Sequence, residues 1–172
     1  MSKVIVSDAS TLILLEKIAL LEKLTKKFRF IIPAEIYDEA VAKGKAIKSN
    51  DAYSIENKIN KNLIRVEKIK DADKLNQIIS EFDLARGEAE AIVLFFEQDG
   101  YLLASDDHKA INVCKIYKMP FITALAFVIK SFNEKVIKID DAKEMIKLLS
   151  IYGRYKDELV YKALNYLGGK ND

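Results

Sequence analysis

Apolar runs alternate with amphipathic stretches along this chain, and each alternation predicts a strand followed by a helix. Val4-Ile5-Val6 is an unbroken apolar run ending at Ser7-Asp8, the pattern of a buried parallel strand. Thr11 to Lys26 follows with Leu14, Ile18, Leu21 and Leu24 at helical spacing, and Ser10 is the expected N-cap. Phe28 to Ile32 reads as a second strand. Pro33 then opens a helix carrying Ile36, Ala40 and Val41, in keeping with proline's preference for a first helical turn.

Residues 49–60 are expected to be helical, 63–66 a short strand and 72–81 another helix. Gly87 precedes a helix that is almost wholly apolar from Ala91 to Phe96, which predicts burial on all sides. Tyr101 to Ser105 is a strand running into Asp106-Asp107, with a helix over 109–117 behind it. Phe121-Ile122 is a last strand, Thr123 the cap of a helix over 124–132, and two further helices are expected near 140–149 and 155–167. In the last of these, Val160, Ala163, Leu164 and Leu167 share one apolar face. Packing against the core is expected for the tyrosine-rich end (Tyr152, Tyr155, Tyr161, Tyr166).

Strands alternating with helices predict an α/β fold, a mostly parallel sheet covered on both faces. Ligands bind such sheets beyond the carboxyl ends of the strands. Asp8 follows the first predicted strand and Asp106-Asp107 the fourth, so the topology assigns these acids to the same edge.

Composition narrows the chemistry. A chain of 172 residues, half of them apolar, suits a single domain with a real core. The net charge of +2 neither demands nor excludes a nucleic-acid partner. The one cysteine, Cys114, rules out an intrachain disulfide and a Cys-based zinc site, and its apolar surroundings predict a buried thiol. The N-terminal stretch turns polar too soon for a signal peptide, and no apolar run reaches membrane-spanning length; the expected location is the cytoplasm. GxxxxGK[ST] is absent, and the single GG pair lies at Gly168-Gly169.

The acids remain. Asp8 could cap the first helix, but Ser10 or Thr11 could cap equally well and leave its carboxylate free. Asp106 and Asp107 cannot both be the cap of the following helix, and adjacent carboxylates repel unless a cation or donors compensate. Glu88 and Glu90 stand in GEAEAI, in the first turn of the buried helix, where the positive helix end favours acids. Glu88 shares a face with Ala91, Ile92 and Phe95; Glu90 points about 200° away on a 3.6-residue wheel. Glu39 borders the apolar stripe of its helix beside Glu35 and Asp38, and spacing alone does not single it out. Several carboxylates with few neutral nitrogen ligands suit Mg²⁺ or Mn²⁺. Two such ions can activate water and stabilise the leaving oxygen of a phosphodiester. His108, beside Asp107, is a candidate for proton shuttling or a phosphate contact.

The motifs VIVSDASTLI near the start, PAEIYDE at 33–39, GEAEAI at 87–92 and LLASDD at 102–107, in this order and spacing, resemble the PIN-domain superfamily, and within it the VapC-like branch with a GExEAI motif. The resemblance covers roughly residues 3–130 and implies a Rossmann-like α/β/α sandwich. It also implies a quartet of acids binding Mg²⁺ or Mn²⁺ and cleavage of single-stranded RNA. By motif position Asp8 matches the first acid, with Ser10 the hydroxyl residue two places on, and Glu39 matches the acid ending PxxIxxE. Glu88 or Glu90 takes the place of the third acid, commonly an aspartate. Asp106 or Asp107 matches the last acid, and Ser105 replaces the threonine common two residues before it. The metal ligands so implied are Asp8, Glu88, Asp106 and Asp107, and the catalytic set adds Glu39. Ser10, Arg86, Glu90, His108 and Lys109 are the candidates for pocket or RNA contact. The expected organisation is a nuclease domain over 1–135 and a C-terminal helical extension over 136–172 packed on it. Homodimers and, for toxin members, a small antitoxin protein whose tail blocks the pocket are further implications.

Two other readings compete. The departures at the third and fourth acids favour a PIN-fold nucleic-acid-binding or interaction protein without efficient cleavage. A haloacid-dehalogenase-like phosphatase or a receiver also places aspartates at strand ends. The former expects an acid two residues after the first aspartate, where Ser10 stands; the latter expects its acidic pair near the first strand, not the fourth.

Overall fold

A computed structural model of the chain describes residues 3–169; the outermost residues of the two expected units, 1–2 and 170–172, lie outside it. Five strands form one sheet: β1 (Val4–Ser7), β2 (Arg29–Pro33), β3 (Ile64–Glu67), β4 (Leu102–Ala104) and β5 (Phe121–Ile122). They lie in the order β3-β2-β1-β4-β5, and every neighbouring pair is parallel. The expected fold class stands. Strand order reverses at β1, whose neighbours β2 and β4 lead away in opposite directions, and the crevice between the ends of β1 and β4 is the switch point.

The two-residue period of the strands divides the core. Ile5, Phe30 and Ile32 face one side, where they meet α1 (Ala9–Lys17), α2 (Leu21–Thr25), α5 (Asn50–Asn60), α9 (Ala124–Asn133), α10 (Ile139–Tyr152) and α11 (Asp157–Gly168), the last two through Ile146, Leu149, Ala163 and Leu167. Val6, Ile31 and Leu103 face the other, against α6 (Ala72–Phe82), α7 (Arg86–Glu97) and α8 (His108–Ile116). Helix α7 is buried from Ala89 through Phe95, as its all-round apolar sequence requires. After β2 the chain makes α3 (Ala34–Tyr37), a π-helical stretch Asp38–Lys43 and α4 (Gly44–Ala46). Cys114 is fully buried, and burial pushes its thiol up to about 11, far from a working nucleophile.

Two expectations fail on backbone geometry. The helix read over 11–26 breaks into α1 and α2 because Ala19 adopts a left-handed φ of 57°. The Leu20 N–H donates to Leu15 O and the Ala19 N–H to Glu16 O, a Schellman closure with alanine where glycine is usual. The cap of α1 is Asp8, not Ser10: Asp8 Oδ1 accepts the Thr11 N–H at 2.8 Å. The tyrosine-rich end also departs from expectation. Tyr152, Tyr161 and Tyr166 are exposed, and Tyr155 alone of the four turns inward.

Ala19→Gly is expected to raise stability by roughly 0.5–1 kcal/mol, since it relieves a left-handed alanine at an exposed position. The midpoint of chemical denaturation checks this; an unchanged or lower midpoint contradicts it.

Candidate active site

The acids meet at the switch point. The sheet ladder runs one rung past β1: the Asp8 N–H donates to Ala104 O at 3.0 Å, which sets the start of the Ser105–Asp107 segment beside Asp8. Asp8 is 3% exposed. Its Oδ1 also accepts the Ser10 hydroxyl at 3.2 Å, while its Oδ2 is buried with no hydrogen-bond partner. Burial raises the Asp8 pKa above the ordinary carboxylate range and neighbouring Asp106 adds to the rise; the nearby polar groups of Ser105 and Thr11 oppose it.

The adjacent aspartates do different work. Asp107 caps α8, accepting the Ala110 N–H at 2.8 Å, and its own N–H donates to Ser105 Oγ at 3.2 Å. Asp106 turns instead toward α1 and α9. Its Oδ2 accepts the Thr11 hydroxyl at 2.8 Å and the Ala124 N–H at 3.0 Å, and its Oδ1 accepts the Tyr155 hydroxyl.

The glutamates separate as well. Glu88, half-buried in the first turn of α7, accepts the Ala85 N–H at 2.9 Å. Its pKa is raised chiefly by burial and further by the charges of Asp107, Asp8 and Glu39, so it shares the field of the strand-end acids. Glu90 is buried at 5% exposure and internally matched: Oε1 accepts from Arg86 Nε at 2.9 Å and Oε2 from the Glu35 N–H at 3.3 Å. Arg86 also lies 3.8 Å from Glu35, so two carboxylates already hold it. Glu39 sits in the π-helical stretch, a form common at functional sites. Burial raises its pKa, Glu35 and Glu90 add to this, and Lys43 opposes it.

Gly87 explains how Glu39 comes so close to α7. A Cβ at that position would lie 2.9 Å from Glu39 Oε1 and 2.8 Å from Ile36 Cδ1. Of the outlying candidates, Lys109 donates to Asp83 Oδ2 at 2.6 Å and to Asp83 O at 2.9 Å, and His108 is exposed at the start of α8. Thr11 and Tyr155 belong to the site but escaped the sequence reading. Thr11 carried a faint signal, a hydroxyl three residues after Asp8; Tyr155 carried none.

Among the described residues no three His, Cys, Asp or Glu side chains are placed to hold an ion by themselves. The donor set nonetheless fits a hard divalent cation. Mg²⁺ is ordinarily held by one or two carboxylates and completed by water and phosphate oxygens. Asp8 Oδ2 is a buried acceptor lacking a donor, and the neighbouring acids raise rather than offset its charge cost.

A family model described as PIN domain matches residues 4–168. The chain belongs to the PIN-domain family. Nuclease-type function, nucleic acid as partner and divalent-metal dependence are typical of that class. No curated protein matches the sequence. Among solved structures, the crystal structure of PAE2754 from Pyrobaculum aerophilum is similar, with a TM-score of 0.53 and 18% identity over 76% of this chain and 97% of that one. At that identity the likeness bears on the fold. No helix of this PIN domain, among the described residues, is long and apolar enough to cross a membrane.

Asp8→Asn in the metal-free protein is expected to raise stability near neutral pH by about 1–3 kcal/mol, because it removes a buried charge while the isosteric amide keeps the cap on α1. Because the folded state holds the Asp8 proton more tightly than the unfolded state, the penalty is full above the raised folded value and fades as pH falls through it. The gap between variant and wild type should therefore narrow in acid. Denaturation across a pH series measures it, and a pH-independent gap contradicts the account. Gly87→Ala should displace the ends of the Ile36 and Glu39 side chains at little net cost, because the helical gain of alanine, about 1 kcal/mol, offsets the crowding. Thermal melting close to that of wild type checks this, and a loss above about 2 kcal/mol contradicts it.

Proposed function

We propose that this PIN domain is a Mg²⁺- or Mn²⁺-dependent endoribonuclease that cleaves single-stranded RNA. The observation that carries the reading is the buried, unpartnered Oδ2 of Asp8 at the switch point, in the field of Asp106 and Glu88. Asp8 and Asp106, with Glu88 and Asp107, are the residues assigned to hold the metal, and Glu39 extends the acidic wall. A bound divalent ion would supply an activated water and neutralise charge on the scissile phosphodiester.

The chain's own groups have distinct parts. Asp8 offers an acceptor already stripped of water, so little reorganisation is needed when a cation arrives. Thr11 and the Ala124 N–H hold Asp106 against rotation. Ser10 tethers Asp8 from the rim. Arg86, Lys109 and His108 flank the acids, where RNA phosphates pass; Arg86 and Lys109 must exchange carboxylate partners for phosphate to bind them. Glu90 keeps Arg86 poised at that edge.

The resemblance of GEAEAI and LLASDD to the VapC-like branch extends the proposal. The chain is then the toxin of a toxin–antitoxin pair, acting in the cytoplasm as a homodimer, its partner a small antitoxin whose tail fills the acid pocket.

A second reading, RNA binding without efficient cleavage, is favoured by the lack of a ready three-ligand cluster among the described residues. Cleavage of a single-stranded RNA with Mn²⁺ separates the two. Wild type is expected to cut, EDTA to abolish cutting, and Asp8→Asn to lose on the order of 10²–10³ in rate. RNA association that survives EDTA and yields no products would establish the second reading instead.

A further inference from the structure

Tyr155 lies in the connection between α10 and α11, far in sequence from every acid of the pocket, yet its hydroxyl reaches Asp106. Two features seat it there. The Leu125 N–H, in the first turn of α9, donates to the Tyr155 oxygen at 3.1 Å. A phenol has one proton to give, so with that oxygen accepting from Leu125 the proton is directed at Asp106 Oδ1. The ring itself passes close to Gly153, where a Cβ would stand 2.8 Å from Tyr155 Cδ2 and Cε2 and 2.8 Å from the Leu149 carbonyl oxygen. A larger residue at 153 would displace the ring.

The consequence is a count of acceptor sites. An ionised carboxylate has about four lone-pair positions, two on each oxygen. Thr11 and the Ala124 N–H take both on Asp106 Oδ2. Tyr155 takes one on Oδ1 and leaves one. We propose that Tyr155 is a positioning residue of the acid pocket, holding Asp106 so that the remaining lone pair of Oδ1 is the one offered to a divalent cation. The proposal rests on the reading of the pocket as a metal site. Groups that orient a metal ligand in this way typically change metal affinity about 10–100-fold when removed.

The test uses the full chain and Mn²⁺ alone, with affinity read by calorimetry and by the electron paramagnetic resonance signal of free Mn²⁺. Tyr155→Phe keeps the ring and removes only the hydroxyl; it is expected to weaken Mn²⁺ binding about 10-fold while the circular dichroism spectrum stays unchanged. Tyr161→Phe, at a position 67% exposed, is expected to bind as wild type does. Equal Mn²⁺ affinity in wild type and Tyr155→Phe would overturn the role of Tyr155 and leave the metal pocket standing. A wild-type chain that binds no Mn²⁺ would overturn both.

Discussion

One backbone hydrogen bond, from the Asp8 N–H to the carbonyl of Ala104, underlies the arrangement of this protein. It is the last rung between β1 and β4, the two strands that flank the point where the sheet reverses direction. Because strand side chains alternate, moving this rung by one residue would turn Asp8 into the opposite helical layer and break its cap on α1. Register here is enforced on both faces, by Ile5 and Val6 in separate cores. The hydrophobic packing therefore decides where a carboxylate stands, although it touches no carboxylate itself.

Around that rung the chain manages an excess of negative charge by giving nearly every acid a local donor. Asp107 has a helix end, Asp106 has two hydroxyls and an N–H, Glu88 has the Ala85 N–H, and Glu90 has an arginine. The exceptions are Asp8, at one of its two oxygens, and Glu39, whose charge is offset by Lys43. Burying an acceptor without a donor is costly, and such a group at a strand-end acid cluster calls for a partner, a cation or water among the candidates. The membership of the chain in the PIN-domain family gives that cost a natural place.

Most of the fold was legible from periodicity. Four of the five strands announce themselves as short apolar runs while β3, Ile-Arg-Val-Glu, alternates apolar and charged residues, and the strand-end aspartates follow from their position directly behind two of the apolar runs. The break at Ala19 was not legible, because alanine gives no turn signal and the helical spacing of Leu14, Ile18, Leu21 and Leu24 continues across it. A 3.6-residue wheel placed Glu88 and Glu90 on different sides of α7, and they do meet different surroundings, although Glu90 is the more buried of the two. The same wheel could not place Glu39, since the π-helical stretch widens the turn and shifts each residue's angle about the axis. Asp106 and Asp107 are adjacent, so only the path of the chain beyond them separates their roles. Tyr155 was invisible because its contact depends on how a loop between two late helices lies over α9, which no local pattern encodes.

The hydrogen bonds at Asp106 also set an order of events. Its donors come from Thr11, 95 positions earlier, and from Tyr155, 49 positions later. Contacts of such separation close slowly, since chain entropy is lost before they form. A chain holding only β1 through β4 lacks the α9, α10 and α11 side chains that close one face of the sheet, and Asp106 lacks the groups that arrive with α9 and the loop before α11. The acid pocket is therefore complete only once the loop before α11 has packed against the start of α9.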